Sequence, residues 1–535
     1  MRRSFLAAAA VFLLLFGLHL AEELNLRSGP PSKTWSRSFA VGESDRRLEL
    51  ATSPANPGTF VFWVRGGAVG FARLLPGGTL GQTGRIPQAA GARAVAASPS
   101  GPASVFWLDG QGLGGARLAP EDGRVLERYR VNGPCLTLAA SGNFLAVARP
   151  ARVEVYRAGA GAPRLAASWP LPGVERLGLW AEGGRLHLAL GQRETTGNVR
   201  LWLAALPASG MPAAPVQVGR FILSRSAITG LRVGVDGDRL RLVVLQETYG
   251  QRRKTTALQA VLPVDLGLPG GPPLAAEPSF TRLAPPELPG LSAISDLVLA
   301  PGAGGGLEAA AVATFDVRGK TSYQLVTGRL TPRGFAAPAL ATRAQGAVSL
   351  PVWTMAGGER LLVYQETAGF NRWQVRATGA GPSFRHLNRL RAGDLSSALL
   401  GTLLSLFSVF QALYYVTGTV FPGLVAMVAI YVFALTWAEH HVLQTFAAGA
   451  FAYLLGKVWL LPRTFYAAGV GDLLPLWLAP RALGYLLFLA FFALGCWAVR
   501  EGWRAKQVCS PFAGLLLLAG IDLPLTLFLF TPYLR

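Results

Sequence analysis

Short apolar runs recur along the first two thirds of the chain. Each is closed by a turn signal and followed by a second run. They are Phe60–Val64, Val105–Leu108, Phe144–Ala148, Leu186–Leu190, Leu240–Leu245, Ala309–Phe315 and Leu361–Tyr364, and their starts lie about 40–70 residues apart. Four of the runs lead into an acid placed three residues before a glycine: Glu194 before Gly197, Glu247 before Gly250, Asp316 before Gly319 and Glu366 before Gly369. The runs are too short for helices, rich in β-branched and aromatic residues, and bounded by Gly, Pro and Asp, so they read as strands. A partner strand follows each turn, as in Val153–Tyr156, Val199–Ala204, Thr256–Val261, Tyr323–Thr327 and Arg372–Arg376. Another precedes many runs, as Leu231–Val235 precedes Asp236-Gly237-Asp238. Three to four strands per unit and no helical stretch predict an all-β repeat domain over 37–384.

Seven units of roughly 45 residues suit a seven-bladed β-propeller, in which each blade buries its faces against its neighbours. The strand Ser38–Val41 would complete the last blade and close the ring. In repeat length and strand pattern the region resembles the broad propeller superfamily. It lacks the Gly-His and Trp-Asp dipeptides of WD40 repeats, and no other blade signature recurs. Trp63 and Trp107 hold equivalent places in the first two units and are expected to pack between blades.

The pattern changes at residue 395. Apolar runs become long enough for membrane spans: Leu395–Val416, Val420–Trp437, Gln444–Leu461, Ala482–Val499 and Pro511–Phe530, with a shorter run Phe465–Leu478. This predicts a polytopic helical domain over 395–535 with about five or six spans. If the short run spans, the basic loop Arg500–Lys506 falls inside, as the positive-inside tendency favours. At the other end Arg2-Arg3 precede the apolar run Phe5–Leu20, and the residues after it make a poor cleavage site. Residues 1–21 therefore read as an uncleaved signal anchor, which sends the β-domain to the extracytoplasmic side of the plasma membrane. Residues 22–36 read as a linker. Residues 385–394, with Arg385, Arg389 and Arg391, read as a basic bridge at the level of anionic lipid head groups.

Charge adds little specificity. Of the 50 Lys and Arg and 29 Asp and Glu, 41 and 25 fall in 21–394, leaving that segment about +16. Only five of the basic residues are lysine, and Ala, Gly, Pro and Leu abound. That is the mark of a compositional bias rather than of an anionic partner, and nothing suggests nucleic acid. Cys135 is the single cysteine in the β-region, so no disulfide forms within it.

Candidate chemistry is sparse. No Ser/His/Asp order, phosphate-cradling glycine loop or zinc motif is present, and no cofactor signature recurs. The four hairpin acids would form a carboxylate ring on one face if turned outward; as turn-formers, each simply ends a strand before a glycine with positive φ. His187, alone in an apolar strand, reads as a packed residue. Polar residues within apolar runs are costly and so informative. Asp472 and Asp522 are such residues, as is Lys457; Asp522 and Lys457 either pair to join two helices or carry protons or an ion. Gly520 and Pro524 beside Asp522 predict a broken helix. Glu439, His440 and His441 form the densest metal-capable cluster and are expected in an interfacial loop without a fourth ligand. The leading functional reading is a non-enzymatic, membrane-tethered propeller that binds, scaffolds or senses another envelope component. The alternative is a transporter or intramembrane enzyme acting through Asp472, Asp522 and Lys457, with the propeller as a regulatory or substrate-capturing domain. A propeller enzyme with an organic cofactor ranks third.

Overall fold

The computed structural model describes residues 2–530 apart from 46–49, 87–88, 90, 99–102, 160–161, 209–210, 250–253, 275, 303–304, 318–319, 345, 370–371, 408–412, 467–477 and 479. The chain divides into two compact units. One comprises 30–316 and 321–389; the other comprises 1–29 and 390–535, with 317–320.

The first unit is a seven-bladed β-propeller built from seven four-stranded antiparallel sheets. Blade 1 is Ala51–Ala55, Gly58–Arg65, Ala68–Leu74 and Leu80–Ile86; blade 2 is Ala94–Ala97, Ser104–Asp109, Gly112–Leu118 and Val125–Asn132. Blade 3 is Thr137–Ser141, Phe144–Ala148, Val153–Arg157 and Arg164–Trp169; blade 4 is Val174–Glu182, Arg185–Arg193, Val199–Leu206 and Val216–Phe221. Blade 5 is Ser226–Asp236, Arg239–Thr248, Lys254–Pro263 and Thr281–Arg282; blade 6 is Leu291–Pro301, Leu307–Val317, Lys320–Thr331 and Gly334–Leu340. Blade 7 takes Val348–Ala356, Glu359–Thr367 and Trp373–Ala380 from the end of the unit and its fourth strand, Phe39–Ser44, from the beginning.

The first strand of each blade touches the first strand of the next, and that of blade 7 touches that of blade 1, so the ring is closed and the first strands line its centre. Its seam is the pairing of Phe39–Ser44 with Trp373–Ala380, in which Phe39 faces Ala377 and Ser44 faces Trp373.

Burial explains why the sequence was so periodic. All seven apolar runs are the second strand of their blade, sandwiched between neighbouring sheets. Phe60, Val61 and Phe62 are each fully buried, as are Leu242, Val243 and Val244. A strand covered on both faces reads as an unbroken apolar run. The outermost strand of blade 2, Val125–Asn132, instead alternates half-buried and exposed positions. Trp63 and Trp107 do pack between blades: Trp63 joins Phe39 and Val41 of blade 7, and Trp107 joins Phe60 and Phe62 of blade 1. Each indole lies over a glycine directly across its hairpin, Gly70 and Gly114. A Cβ on Gly114 would fall 2.4 Å from the Trp107 ring, so the position needs glycine for space.

Around the centre, side chains on or just after one first strand bond the backbone near the next. The Ser98 hydroxyl donates to the Gly142 carbonyl at 2.7 Å, Arg176 Nε to the Ile228 carbonyl at 3.2 Å and Arg232 Nε to the Leu297 carbonyl at 2.6 Å. After blade 7 the chain forms a 3-10 helix, Pro382–Asn388, whose Phe384 is fully buried against Phe39 and Leu74.

The second unit is helical: α1 (Arg2–Ser28), α2 (Ala392–Phe407), α3 (Leu413–Phe433), α4 (Leu435–His440), α5 (Val442–Thr464), α6 (Arg481–Arg504) and α7 (Pro511–Phe530). Among the described residues three helical stretches are long and apolar enough to cross a membrane, Arg3–Asn25, Arg481–Arg504 and Pro511–Phe530, with shorter apolar stretches at Ala392–Leu404 and Gly418–Phe433. Most of the proposed fourth run, 467–477, lies outside the described residues.

Three sequence expectations are corrected here. The chain does not break between Val416 and Val420; α3 continues through it and breaks at Ala434 instead, where φ is −146°. Gly418 serves close packing rather than a turn, since a Cβ there would meet Leu460 at 2.8 Å. The helix is not broken at Asp522 either: α7 runs unbroken through Gly520 and Pro524. A proline removes a single backbone bond, and tertiary packing holds the flanking turns. Glu439-His440-His441 is not a loop, because Glu439 and His440 close the one-turn helix α4.

Candidate functional site

Tyr453 and Lys457 stand one turn apart on α5, so both project from one face. Asp522 and Thr526 have the same spacing on α7, which packs against α5. The two faces meet in the core of the helical unit. Lys457 Nζ donates to Asp522 Oδ1 at 2.5 Å, and the Tyr453 hydroxyl donates to Asp522 Oδ2 at 2.5 Å. Lys457 Nζ also reaches the Phe488 carbonyl at 3.4 Å and stands 4.4 Å from the centroid of the Phe488 ring on α6. The Asp522 side chain is wholly buried and that of Lys457 is 2% exposed. Lys457 does not extend to an interface: its charge is neutralised in place, and each carboxylate oxygen accepts a bond. Such an arrangement can hold two helices together or pass a proton between its members.

The pairing of Asp522 with Lys457 is one that the sequence presented as an option. Tyr453 was missed, although it lies one turn before Lys457 on an apolar helix. Asp472 lies outside the described residues. His19 was also missed. It is buried in α1, and its Nε2 lies 3.0 Å from the Phe528 carbonyl in the last turn of α7. Phe12 stacks on Phe528 with centroids 4.9 Å apart, so α1 packs as a member of this unit.

Glu439, His440 and His441 do not converge. The Nδ1 atoms of His440 and His441 lie 2.7 and 3.0 Å from the carbonyls four residues back, Thr436 and Trp437. Among the described residues no group of three His, Cys, Asp or Glu is placed to hold a metal.

The four hairpin acids lie at the same corner of blades 4 to 7, the turn between second and third strands, and therefore on one face of the propeller. Three have local partners. Glu194 is bound by Arg200, by Arg220 at 2.7 Å and by the Thr196 hydroxyl at 3.1 Å. The Arg220 bond, working against some desolvation, holds its carboxyl below the usual range. Asp316 accepts from the Thr321 hydroxyl at 2.8 Å. Glu366 accepts the Gly346 N–H at 3.0 Å and lies 3.1 Å from Arg376 Nε. Glu247 sits in its strand opposite Ala227 and Thr255. Gly197 and Gly369 have φ of 83° and 124°, the positive φ such turns ask of glycine, while Gly250 and Gly319 lie outside the described residues.

Blade 3 carries a buried charge network at the same corner. Glu154, 4% exposed, accepts from Arg149 Nε at 2.5 Å, Arg152 Nε at 2.7 Å and the Tyr156 hydroxyl at 2.6 Å. Burial pushes the Glu154 carboxyl up, but the three donors outweigh it and leave it below its ordinary value. The signal was the spacing Arg149, Arg152, Glu154, Tyr156 across one short turn. His187 of blade 4 lies opposite Trp180 and Ala205 and is 2% exposed, with no hydrogen-bond partner for Nδ1 among the described residues. Burial, helped by Arg185, pushes its imidazole down to about 4. Arg385, Arg389 and Arg391 are exposed.

No family model matches the chain, and no curated protein does. Solved structures that resemble it include the polysaccharide lyase Uly1, at 11% identity over 67% of this chain and 95% of that one, with a TM-score of 0.42. The β-propeller domain of the Trilobed protease from Pyrococcus furiosus shares 8% identity over 64% and 97%, with a TM-score of 0.37. Kluyveromyces lactis Hsv2 shares 10% identity over 61% and 97%, with a TM-score of 0.35. At these scores they say nothing further about this chain, whose blade count rests on its own strand pairing.

Proposed function

We propose that this chain is a multi-pass plasma-membrane protein whose extracytoplasmic propeller binds and scaffolds another envelope component. The reading treats α1 as a retained anchor and gives Arg385, Arg389 and Arg391 to anionic head groups. The observation that carries it is the closed ring. The chain comes in at Trp35, which bridges to Ala380 where the last blade ends, so both connections leave from one face. The face with the turns between second and third strands carries the links from each blade to the next, and the ring is closed there by Phe39–Ser44 pairing with the last blade. A rigid surface loses little conformational entropy on binding.

Photo-cross-linking in the native host tests this. Ile222, 79% exposed between blades 4 and 5, and Thr195, exposed in a blade 4 turn, are replaced one at a time by a photoreactive residue in the full chain. The expected result is a discrete adduct of constant mass from at least one position. Irradiation that yields no adduct from either position, with the protein folded and in the membrane, contradicts the reading.

A further inference from the structure

Each third strand of the propeller ends on the face where the chain enters and leaves, as Trp373–Ala380 does beside Trp35. On that face the third strand of blade 4, Val199–Leu206, leads into a loop over 207–215 that carries Pro207, Pro212 and Pro215. Two side chains of blade 3 brace it. Arg157 Nη2 donates to the Ala208 carbonyl at 3.4 Å, and Trp169 Nε1 to the Ala213 carbonyl at 3.0 Å. Between these two anchors Met211 is 85% exposed, more than any other large apolar side chain described in the propeller. The braces and the fixed φ of the prolines leave the loop little freedom to fold its methionine away. Leu165, opposite Tyr156 in the outer strand of blade 3, is 58% exposed.

Single exposed apolar side chains are ordinary; here the charge beside them is one-sided. No Asp or Glu occurs in 155–174 or in 195–235. Arg157 and Arg164 are exposed and stand directly opposite each other in blade 3, and Arg164 has no ion-pair partner among the described residues. Like charges placed so repel, a cost that an anionic group lying across them would remove. Exposed acids of this face begin outside the rim, with Asp122 on blade 2, Glu182 at the inner end of blade 4 and Asp265 on blade 5.

Arginines beside exposed apolar side chains match the surface of an anionic bilayer, whose head groups meet the charge and whose acyl boundary takes the apolar groups. An acidic protein would satisfy the arginines too. Place favours lipid, because both connections to the apolar helices of the chain leave from this face. We propose that the outer rim of blades 3 and 4 rests on anionic lipid, with Met211 and Leu165 in the interfacial layer and Arg157 and Arg164 on the head groups. The inference rests on the membrane-tethered reading and adds to it the surface by which the propeller meets the bilayer.

The test uses the full chain in lipid nanodiscs, with Cys135, Cys496 and Cys509 replaced by serine. One new cysteine carries an environment-sensitive fluorophore: Met211→Cys or, on the opposite face, Thr195→Cys. The discs hold phosphatidylcholine with or without phosphatidylserine, and with or without a lipid nitroxide near the top of the acyl chain. The expected result is quenching of the Met211→Cys label by about twofold or more in phosphatidylserine discs, with the Thr195→Cys label unquenched. Arg164→Glu, or omission of phosphatidylserine, is expected to weaken that quenching. Equal quenching at the two positions overturns the proposal. Quenching at position 211 that responds neither to phosphatidylserine nor to Arg164→Glu overturns the assignment of the arginines to anionic head groups. Protein that does not enter the discs contradicts the membrane reading, and this inference with it. Should the serine-substituted chain not fold, a photoreactive residue replacing Met211 in the otherwise natural chain reads the same contact: a phosphatidylserine adduct is expected, and the lack of any lipid adduct overturns the proposal.

Discussion

Replacing Asp522 by leucine is expected to destabilise the helical unit by about 3–5 kcal/mol, the cost of leaving a buried charge without its partner. The change strands the Lys457 ammonium in an apolar core and deprives the Tyr453 hydroxyl of its acceptor. Removing both charges in Lys457→Leu with Asp522→Leu is expected to recover most of that loss, since a packed apolar pair often matches a buried ion pair in stability. Thermal unfolding of the four members of this cycle in one detergent measures the coupling between the two positions. Single and double variants of equal stability would mean that the pair is not formed in the folded protein.

Acidification is expected to weaken the propeller through His187. Its imidazole is held at about 4 in the fold against 6.5 when unfolded, chiefly by burial. Above 6.5 both states are neutral and the group contributes no pH dependence. Between 6.5 and about 4 the unfolded chain binds a proton that the fold refuses, so stability falls as pH drops; below about 4 the contribution is constant. At about 1.4 kcal/mol per unit the full loss is about 3 kcal/mol. Other carboxylates titrate in the same range, so the readout is the difference between wild type and His187→Leu. The wild type is expected to lose stability faster than the variant across that window, by tryptophan fluorescence during denaturant unfolding. Parallel pH profiles would show that His187 titrates normally.

The second strands were legible because each is buried on both faces, which stamps an unbroken apolar run on the sequence. The closing strand was legible because a lone strand before seven units has one place to go. Outer strands were harder: Thr281–Arg282 of blade 5 is two residues long, and half-exposed strands leave a weak pattern. The packing logic of Trp63 and Trp107 was only partly visible, since the glycine beneath each indole reads like a turn residue. In the helical unit, Asp522 and Lys457 stood out as charges in apolar runs. Tyr453, Thr526 and His19 did not, because each is ordinary in an apolar helix until its partner on another helix is known. Gly520 and Pro524 misled because both punctuate helices in water, whereas within the packed apolar helix α7 the proline costs one bond and the glycine leaves the helix unbroken.

The propeller is expected to be held outside a membrane by helices that remain in it. Asp238, whose side chain is 92% exposed in a turn of blade 5, gives the direct measurement. Cells bearing Asp238→Cys in the full chain, with the native Cys135, Cys496 and Cys509 replaced by serine, are treated with a membrane-impermeant maleimide before and after lysis. Labelling of intact cells equal to that after lysis, on protein that sediments with membranes, is the predicted result. Labelling only after lysis would put the propeller inside and contradict the account.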